Sequence, residues 1–412
     1  MQLLYKTYKT LSNEGIEVSL KRILVWKRNK KLNRLLKLKK WEKAVNVAKS
    51  LVELHPNNVD YRLKLAKCYQ QTENREMAFY TLQRGMGIRI NLKEIIKMIE
   101  TDLNSDHPIA SKYQYLGGWQ NLGLIEHSQS NNGNKLITKI ASLEASKNEL
   151  LFYSKISRLY SEIQYFLPKI INIRFIEQDR LCLITMEKIS GVIPHIDERI
   201  IKDVIKINET ISLMTYKDLD KLFEIPTARL EEITPNKMMS FLDNSFFINE
   251  ENMNRKIFKS MFEHMLKFKY SSKSLMLIKD LESIIVDNQA YHLIKPEHHY
   301  SVQHGDFSLG NFLYDKSMDK LFIIDWGHMR VGPRWSDLAG FFGRYKFSFS
   351  KVNKLFLIDK NSGGKLDVIE KLFFTYLLIV VWFVVMSREE FEQNINFCLL
   401  PALNYLRSLE KK

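Results

Sequence analysis

The chain has 412 residues, 45% of them hydrophobic, and carries a formal net charge of +15 at pH 7. This length accommodates two or three domains, and the apolar content supplies a sizeable core, which excludes global disorder. The three cysteines show no paired spacing, so we expect free thiols in a reducing cytoplasm and no disulfide framework. The first residues have neither the apolar core nor the cleavage site of a secretory signal, so we expect a cytoplasmic protein.

Positive charge is concentrated at the start of the chain. Residues 1–43 contain thirteen Lys or Arg and three Glu, a local balance of +10. Apolar residues such as Ile23, Trp26 and Leu35 interleave with these cations, so we predict a basic amphipathic segment over residues 1–29. Such a segment binds an acidic partner or an anionic membrane surface, which would hold the protein at the inner face of the membrane. A solvated helix face is the alternative, and nucleic acid is disfavoured because no reading module accompanies the charge.

Residues 30–105 are predicted to form repeated helices. The helix that contains Trp41 is stopped by Pro56, and Ala44 and Ala78 lie thirty-four residues apart. This period, with small residues where helices approach closely, resembles the tetratricopeptide repeat and implies a protein partner. Stable arrays need about three repeats and fewer are visible, so we expect these helices to lean on a neighbouring domain or on the N-terminal helix. Generic helical hairpins are the alternative.

A β-rich region is predicted over residues 110–187. Strand-like runs occur at residues 136–140, 171–176 and 181–185. The adjacent Gly117 and Gly118 precede these runs, and their missing side chains let backbone N–H groups approach an anion, although a hairpin turn is the simpler interpretation. The first run carries Lys139, and a helix is predicted over Ser142–Leu159.

Most of the remainder of the chain is predicted to be helical. Its middle part, residues 198–299, is polar and carries acids such as Asp218 and Asp220, which are either surface charge or a site that attracts a cationic substrate. The run Leu372–Met386 is rich in apolar residues but short for a membrane span, so we predict a buried helix.

Two short segments predict phosphoryl-transfer chemistry. His304–Asn311 reads HGDFSLGN between two strands, and Ile323–Gly327 reads IIDWG at the end of a third. Asp306 can accept or orient the proton of a hydroxyl group, and the side-chain oxygens of Asn311 and Asp325 are ligands that Mg²⁺ prefers. Each residue alone is an ordinary turn or strand-end residue. Their combined spacing predicts a phosphotransferase that uses ATP and Mg²⁺.

These motifs resemble the aminoglycoside phosphotransferase and choline kinase superfamily, in which H-G-D replaces the H-R-D of protein kinases. The segment Gly332–Ala339, which reads GPRWSDLA, is similar to the family's G-P-x-x-x-D-L-A. The resemblance implies that His304 and Asp337 support the catalytic loop. No A-P-E segment follows Asp325, which argues against a kinase that acts on proteins.

The resemblance also assigns nucleotide-binding roles to residues of the β-rich region. The residues that match are Gly117, Gly118, Asn121, Lys139, Glu149, Met186, Glu187, Lys188 and Ile189. The glycine pair belongs to a G-G-x-x-N loop that covers the phosphates, and residues 186–189 form the hinge whose backbone reads adenine. Lys139 grips the phosphates and is paired by Glu149, for which Glu144 is the competing candidate.

Together these features predict an α+β protein with a bilobal protein-kinase-like fold, in which an α-helical repeat region precedes a small β-rich N-lobe and a helical C-lobe. The predicted domains are residues 1–29, 30–105, 110–187 and 188–412. The predicted reaction phosphorylates a hydroxyl of a small molecule, either an amino alcohol such as choline or ethanolamine or a sugar, with a role in bacterial cell-surface glycan metabolism. The alternatives are a catalytically inactive kinase-like scaffold that uses its helical repeats, and an aminoglycoside-modifying enzyme, which the repeat extension disfavours.

Overall fold

A computed structural model describes residues 16–56, 58–103, 111–115, 121–127, 135–144, 146–219, 245–358 and 366–410. The chain divides into two compact units. The first unit holds Met1–Lys147 and Pro168–Lys188, and the second holds Asn148–Leu167 and Ile189–Lys412. Each unit is therefore built from two separate stretches of the sequence.

The first unit begins with a series of helices, namely α1 (Ile16–Lys37), α2 (Trp41–Leu54), α3 (Val59–Gln71), α4 (Arg75–Met86) and α5 (Leu92–Asp102). Asparagine caps the last three, since Asn58 and Asn74 accept a hydrogen bond from the amide three residues on, and Asn91 forms a capping box with Glu94. Helix α1 runs through residues 29 and 30, so the predicted border there falls within one helix.

Five strands complete the first unit: β1 (Ser111–Gln114), β2 (Asn121–His127), β3 (Leu136–Ser142), β4 (Ile170–Ile176) and β5 (Leu181–Glu187). They form one antiparallel sheet in the order β1-β2-β3-β5-β4. Strand β3 extends to Ser142, which pairs with Leu181, so the following helix begins at Lys147 and not at Ser142 as the sequence predicted. The strand ladder continues here because β5 offers a partner that local helix propensity cannot reveal.

The helices and the sheet of the first unit share one hydrophobic core. Ile125, Ile140 and Leu183 of the sheet lie in the same buried cluster as side chains from every helix of the series. Ala44 and Ala78 are fully buried in this cluster, which fits the close helix approach expected of small residues. Because side chains alternate along a strand, Lys139 faces away from the side of the sheet to which Ile140 contributes.

The second unit is mostly helical. Its helices are α6 (Lys147–Leu151, continued by a π-helical turn at Phe152–Ile156), α7 (Ser157–Leu159), α8 (Ser161–Gln164), α9 (Glu198–Ser212), α10 (Tyr216–Leu219), α11 (Glu251–Lys267), α12 (Ser272–Glu282), α13 (Pro296–His299), α14 (Ser336–Arg344), α15 (Phe349–Val352), α16 (Val368–Val385), α17 (Arg388–Gln393) and α18 (Leu400–Glu410). Two antiparallel pairs complete it: β6 (Tyr300–Gln303) with β9 (Arg330–Pro333), and β7 (Phe312–Asp315) with β8 (Lys320–Ile323). The predicted α+β class is confirmed, since the first unit combines helices with a five-stranded sheet and the second unit is mostly helical.

Helix α16 forms the centre of the second unit. Among the described residues it is the one helix long and apolar enough to cross a membrane, and 72% of it is buried inside the structure. Its first turn is fixed by a capping box between Asp367 and Glu370. Gly343 of α14 packs against it so closely that an added Cβ would lie 2.5 Å from Cγ1 of Val381. The apolar run of the sequence is thus a buried helix in the structure.

Candidate active site

The predicted catalytic loop lies between β6 and β7 of the second unit. Gly305 has φ +85°, and a Cβ at this position would lie 1.8 Å from the carbonyl oxygen of His328. No other residue type fits here, because the clash involves backbone and the conformation is left-handed. The carbonyl oxygen of Gly305 accepts a hydrogen bond from Nη1 of Arg330 at 3.2 Å. These two contacts fix the turn that precedes Asp306.

Asp337 and His304 support this loop from inside the protein. The carboxylate of Asp337 accepts hydrogen bonds from the backbone amides of His304 at 2.5 Å and Gly305 at 3.2 Å. The His304 ring is fully buried, lies 2.9 Å from the carbonyl oxygen of Ile324 through Nε2, and accepts the amide of Asp306 at Nδ1, 3.3 Å away. Burial lowers the pKa of His304, so the ring is neutral, with its proton on Nε2.

Asp306 and Asn311 are in direct contact. The amide nitrogen of Asn311 donates to the carbonyl oxygen of Asp306 at 2.8 Å and to its Oδ2 at 3.1 Å. This orientation directs the amide oxygen of Asn311 away from Asp306, so the oxygen can serve as a ligand. The other carboxylate oxygen of Asp306 accepts a hydrogen bond from Nη1 of Arg344 at 3.1 Å. The Asp306 side chain retains 31% exposure, which leaves it accessible to a substrate.

Asp325, the second predicted metal ligand, follows a residue that is hydrogen-bonded to the first, Asn311. The amide of Ile324 donates to the carbonyl oxygen of Asn311 at 3.0 Å, which holds Asp325 beside the catalytic loop. Asp325 adopts φ 64° and ψ 67°, a left-handed conformation that is strained for a residue with a Cβ. The next residue, Trp326, is fully buried and stacks on Phe152 with ring centroids 3.5 Å apart. The packed tryptophan therefore stabilises the strained aspartate.

The donor set fits Mg²⁺. Asp325 and Asn311 are both partly exposed and offer a carboxylate and an amide oxygen, which are the hard ligands that Mg²⁺ accepts from protein. The described residues contain no cluster of three or more His, Cys, Asp or Glu side chains, and Mg²⁺ does not require one because it takes further ligands from phosphate and water.

Lys139, the lysine predicted to bind the phosphates, has two candidate partners, Glu149 and Glu144, which differ in burial. Lys139 lies on β3 of the first unit and is 5% exposed, whereas Glu149 lies on α6 of the second unit and is 1% exposed. Glu144 pairs with Arg180 on the surface of the first unit. Burial, with smaller contributions from the charges of Glu149 and Asp325, raises the pKa of Tyr153 well above its ordinary value. The pairing of Lys139 with Glu149 stays a prediction.

The remaining predicted nucleotide-binding residues belong to the β-rich region and the hinge. Gly117 and Gly118 lie outside the described residues, and Asn121 begins β2. Met186 and Glu187 end β5, where Leu136 pairs with Glu187. The chain passes from the first unit to the second between Lys188 and Ile189, and the adenine-binding hinge over residues 186–189 stays a prediction. The amide of Lys188 donates to the carbonyl oxygen of Lys135, and its side chain pairs with Glu126.

Three residues of this site were missed by the sequence reasoning. Arg344 binds Asp306, Arg330 binds Gly305, and the hydroxyl oxygen of Tyr345 accepts the amide of Leu309 at 2.9 Å. The signal for Arg344 was present, because it follows Asp337 by seven residues and therefore lies on the same face of α14. Arg330 gave no such signal, since its role depends on the pairing of β9 with β6.

One comparison covers this site. Residues 278–353 match the model of the Phosphotransferase enzyme family, APH. The matched segment contains the loop from His304 to Asn311, Asp325 and Asp337. The match confirms the resemblance that the sequence motifs indicated, and it extends over the segment that carries the candidate catalytic loop.

Solved structures of the same kind align at low identity. Aminoglycoside phosphotransferase APH(4)-Ia aligns at 10% identity and a TM-score of 0.39, over 77% of this chain and 98% of its own. The choline kinase LicA from Streptococcus pneumoniae aligns at 16% identity and a TM-score of 0.36, with the same coverage. A Plasmodium vivax ethanolamine kinase aligns at 16% identity and a TM-score of 0.41, over 89% of this chain and 92% of its own. No curated protein matches this chain. At these identities the likeness does not define an activity.

Proposed function

We propose that this protein transfers the γ-phosphoryl group of ATP to a hydroxyl of a small molecule. The observation that carries the proposal is the contact of Asp306 with Asn311 on a buried frame, with Asp325 held next to them. Phosphoryl transfer requires positioned groups and charge neutralisation more than covalent catalysis, and this cluster supplies both.

The proposed roles of the residues combine the contacts of the catalytic loop with the family resemblance. Asp306 accepts the proton of the acceptor hydroxyl through the carboxylate oxygen that the substrate reaches, while Arg344 and Asn311 hold the carboxylate in place. Asn311 and Asp325 hold Mg²⁺, which neutralises charge on the triphosphate when bound. Lys139, supported by Glu149, grips the phosphates, and the segment with Gly117 covers them.

The acceptor is proposed to be an amino alcohol such as choline or ethanolamine, or a sugar. The support is the G-G-x-x-N pattern near Gly117 together with the Asp325-Trp326 pair, both of which resemble choline kinase-like enzymes more than antibiotic kinases. A role in bacterial cell-surface glycan metabolism is consistent with the basic helix α1, whose exposed lysines suit attachment to a membrane from the cytoplasmic side.

A non-catalytic scaffold is the competing proposal. It explains the helical region as a docking module and predicts that the protein binds no Mg²⁺-ATP. The contacts around Asp306 disfavour it, because a scaffold gains nothing from an aspartate held by two side chains and left partly exposed.

The test measures ADP release from Mg²⁺-ATP with a panel of amino alcohols, sugars and aminoglycosides. Asp306→Asn should abolish the release, since the amide keeps the shape of the side chain but has one acceptor oxygen in place of two and accepts a proton poorly. Asp280→Asn is the control, because Asp280 pairs with Arg407 on the surface and belongs to no part of the site. Wild-type protein that neither binds Mg²⁺-ATP nor releases ADP would overturn the proposal in favour of the scaffold.

A further inference from the structure

Tyr153 carries a buried hydroxyl group that the proposed mechanism does not use. The residue follows Glu149 by one helical turn in the second unit and is 3% exposed. Within the part of the chain that the structure describes, its hydroxyl oxygen has no hydrogen-bond partner. A buried donor without an acceptor costs free energy, so an unpaired hydroxyl in a folded protein requires an explanation.

The helix that carries this hydroxyl, α6 with its π-helical turn, is fixed to the segment that follows Asp325. Nδ2 of Asn148 donates a hydrogen bond to the carbonyl oxygen of Met329 at 2.8 Å. One turn later, Phe152 stacks on Trp326 with ring centroids 3.5 Å apart and an angle of 8° between the ring planes. These two contacts hold the helix against the turn in which the proposed metal ligand lies.

Two carboxylates act on the Tyr153 hydroxyl. Burial raises the pKa of Tyr153 well above its ordinary value, and the negative charges of Glu149 and Asp325 raise it further. The hydroxyl therefore keeps its proton and acts as a donor toward a carboxylate. Glu149 is 1% exposed and held in place by packing, and it does not accept this proton in the structure. Asp325 is partly exposed and lies on a separate element, so its carboxylate has room to turn.

We propose that Tyr153 is a positioning residue for Asp325, whose carboxylate accepts a hydrogen bond from the Tyr153 hydroxyl when the other carboxylate oxygen binds the metal ion. The inference rests on the proposed function, in which Asp325 holds Mg²⁺. A carboxylate that binds a metal ion through one oxygen can accept a hydrogen bond at the other, and such bonds orient metal ligands. A neutral donor orients Asp325 without cancelling the negative charge that attracts the cation.

The test compares Tyr153→Phe with wild type, both as full-length proteins, by two measurements. Phenylalanine removes the hydroxyl but keeps the ring that packs edge-on against Phe152. The melting temperature of the ligand-free protein should stay equal or rise, because an unpaired buried donor is removed. The dissociation constant for Mn²⁺ in the presence of AMP-PNP should rise about tenfold, because the ligand loses its orienting partner. Electron paramagnetic resonance measures the free Mn²⁺, which accepts the same oxygen ligands as Mg²⁺.

Tyr376→Phe is the matched control, because it makes the same chemical change elsewhere in the second unit. Tyr376 of α16 is fully buried, and its hydroxyl donates to Oδ1 of Asn254 at 3.1 Å. Loss of this existing hydrogen bond should lower the melting temperature and leave the dissociation constant for Mn²⁺ unchanged. The two substitutions are therefore expected to have opposite patterns of effect.

A second background tests whether Tyr153 acts through Asp325. In Asp325→Asn protein, the further change Tyr153→Phe should weaken Mn²⁺ binding by less than about twofold, since residues that act together are not additive. A tenfold loss that persisted in this background would overturn the proposal, because Tyr153 would then act by another route.

The remaining outcomes separate this inference from the proposed function. Weaker Mn²⁺ binding by Tyr153→Phe at an equal or raised melting temperature supports the positioning role. Mn²⁺ binding equal to that of wild type overturns it, and so does weaker binding with a melting temperature lowered as far as in Tyr376→Phe, because the hydroxyl would then have a structural role. Wild-type protein that binds no Mn²⁺ together with AMP-PNP overturns the proposed function itself, and this inference with it.

Discussion

Arg344 and Asp337 lie at opposite ends of one nine-residue helix, α14, and both hold the catalytic loop. The carboxylate of Asp337 accepts hydrogen bonds from the backbone amides of His304 and Gly305, while Nη1 of Arg344 donates to Oδ1 of Asp306 at 3.1 Å. The helix therefore fixes the backbone of the loop at its start and the side chain of the candidate base two residues later. A displacement of α14 would move both contacts together.

Loss of the Arg344 contact should lower the rate more than it lowers nucleotide binding. Arg344→Met leaves Asp306 held by Asn311 alone, and we expect kcat to fall about tenfold to hundredfold because the carboxylate loses its fixed direction. Steady-state kinetics with the acceptor found in the screen, alongside titration with Mg²⁺-AMP-PNP, measure the two effects. Arg255→Met is the control, since Arg255 pairs with Glu251 on the exposed face of α11. An unchanged kcat would show that the contact has no part in catalysis.

Asp325→Asn should separate the metal role of Asp325 from its structural role. Asparagine tolerates a positive φ nearly as well as aspartate, so the fold should persist, whereas the lost charge should raise the Mg²⁺ concentration needed for half-maximal activity about tenfold or more. A magnesium titration of activity measures this shift. Asp319→Asn is the matched control, because Asp319 also has a positive φ, of 52°, but lies in the turn between β7 and β8. Identical magnesium curves for both variants would contradict a metal-binding role for Asp325.

Gly343→Ala should destabilise the second unit and reduce activity. The added methyl would lie 2.5 Å from Cγ1 of Val381, so α14 and α16 must separate, at a cost of about 1–3 kcal/mol in the free energy of unfolding. Because Arg344 is the next residue, kcat should fall as well. Urea unfolding of the single variants and of the double variant with Val381→Ala tests the cause. Space restored by the smaller alanine should make the double variant more stable than the sum of the two losses predicts.

Glu370 should make the protein less stable as the pH rises. Burial raises the pKa of this carboxyl from 4.5 to about 7, although Arg334 lies 3.0 Å away and opposes the shift. Between these values the folded state holds a proton that the unfolded state releases, so the free energy of unfolding falls from pH 4.5 to 7, by about 3 kcal/mol at most. Gln cannot ionise, so Glu370→Gln should gain stability relative to wild type between pH 5 and 8.

The measurement is urea unfolding of both proteins at pH 5, 6, 7 and 8. Glu390→Gln provides a matched control, since Glu390 occupies the same capping position of α17 as Glu370 does of α16. The hydrogen bond from Lys346 lowers the pKa of Glu390 below its ordinary value of 4.5, so the group is ionised in both the folded and the unfolded state at pH 5 to 8, and the stability of Glu390→Gln relative to wild type should stay nearly constant over this range. Parallel curves for Glu370→Gln and wild type would contradict the prediction.

Helix α1 should bind anionic vesicles. Its exposed cations accompany two exposed apolar side chains, Leu24 at 40% and Trp26 at 49% exposure, a combination that suits the surface of a charged bilayer. Replacing Lys27, Lys30 and Lys31 with Gln should weaken sedimentation with phosphatidylglycerol vesicles about a hundredfold, at about 1 kcal/mol for each lysine.

The control for vesicle binding is a second triple variant. Lys259, Lys267 and Lys279 are exposed lysines of α11 and α12, and their replacement with Gln removes the same net charge elsewhere on the protein. An equal loss of vesicle binding in both triple variants would mean that binding depends on the net charge of the protein and not on the surface of α1. Binding to neutral phosphatidylcholine vesicles with equal strength would exclude an electrostatic interaction altogether.

The parts of the structure that could be predicted are those encoded locally. The loop from His304 to Asn311 and the strand before Asp325 were predicted because turn glycines and a short apolar run act within a few residues of each other. The buried helix near Leu372 was predicted for the same reason, since a continuous apolar run needs no partner to be recognised.

The parts that could not be predicted depend on partners distant in sequence. Ser142 lies in a strand because Leu181 pairs with it, thirty-nine residues later. The contact between Gln70 and Tyr115 spans forty-five residues and joins two regions that the sequence suggested were separate. Arg330 reaches Gly305 only because β9 pairs with β6. Non-local pairing of this kind leaves no periodic trace in a single sequence.

The shared core of the first unit limits how this protein can be recombined. A shortened chain that began at residue 110 would keep every proposed catalytic residue but would leave Ile125, Ile140 and Leu183 facing water without their covering helices. Such an apolar face promotes aggregation, so the fragment should be recovered in inclusion bodies and not as a smaller enzyme. Gene fusion or domain exchange can therefore succeed only when helices α1 to α5 and the five-stranded sheet are transferred together.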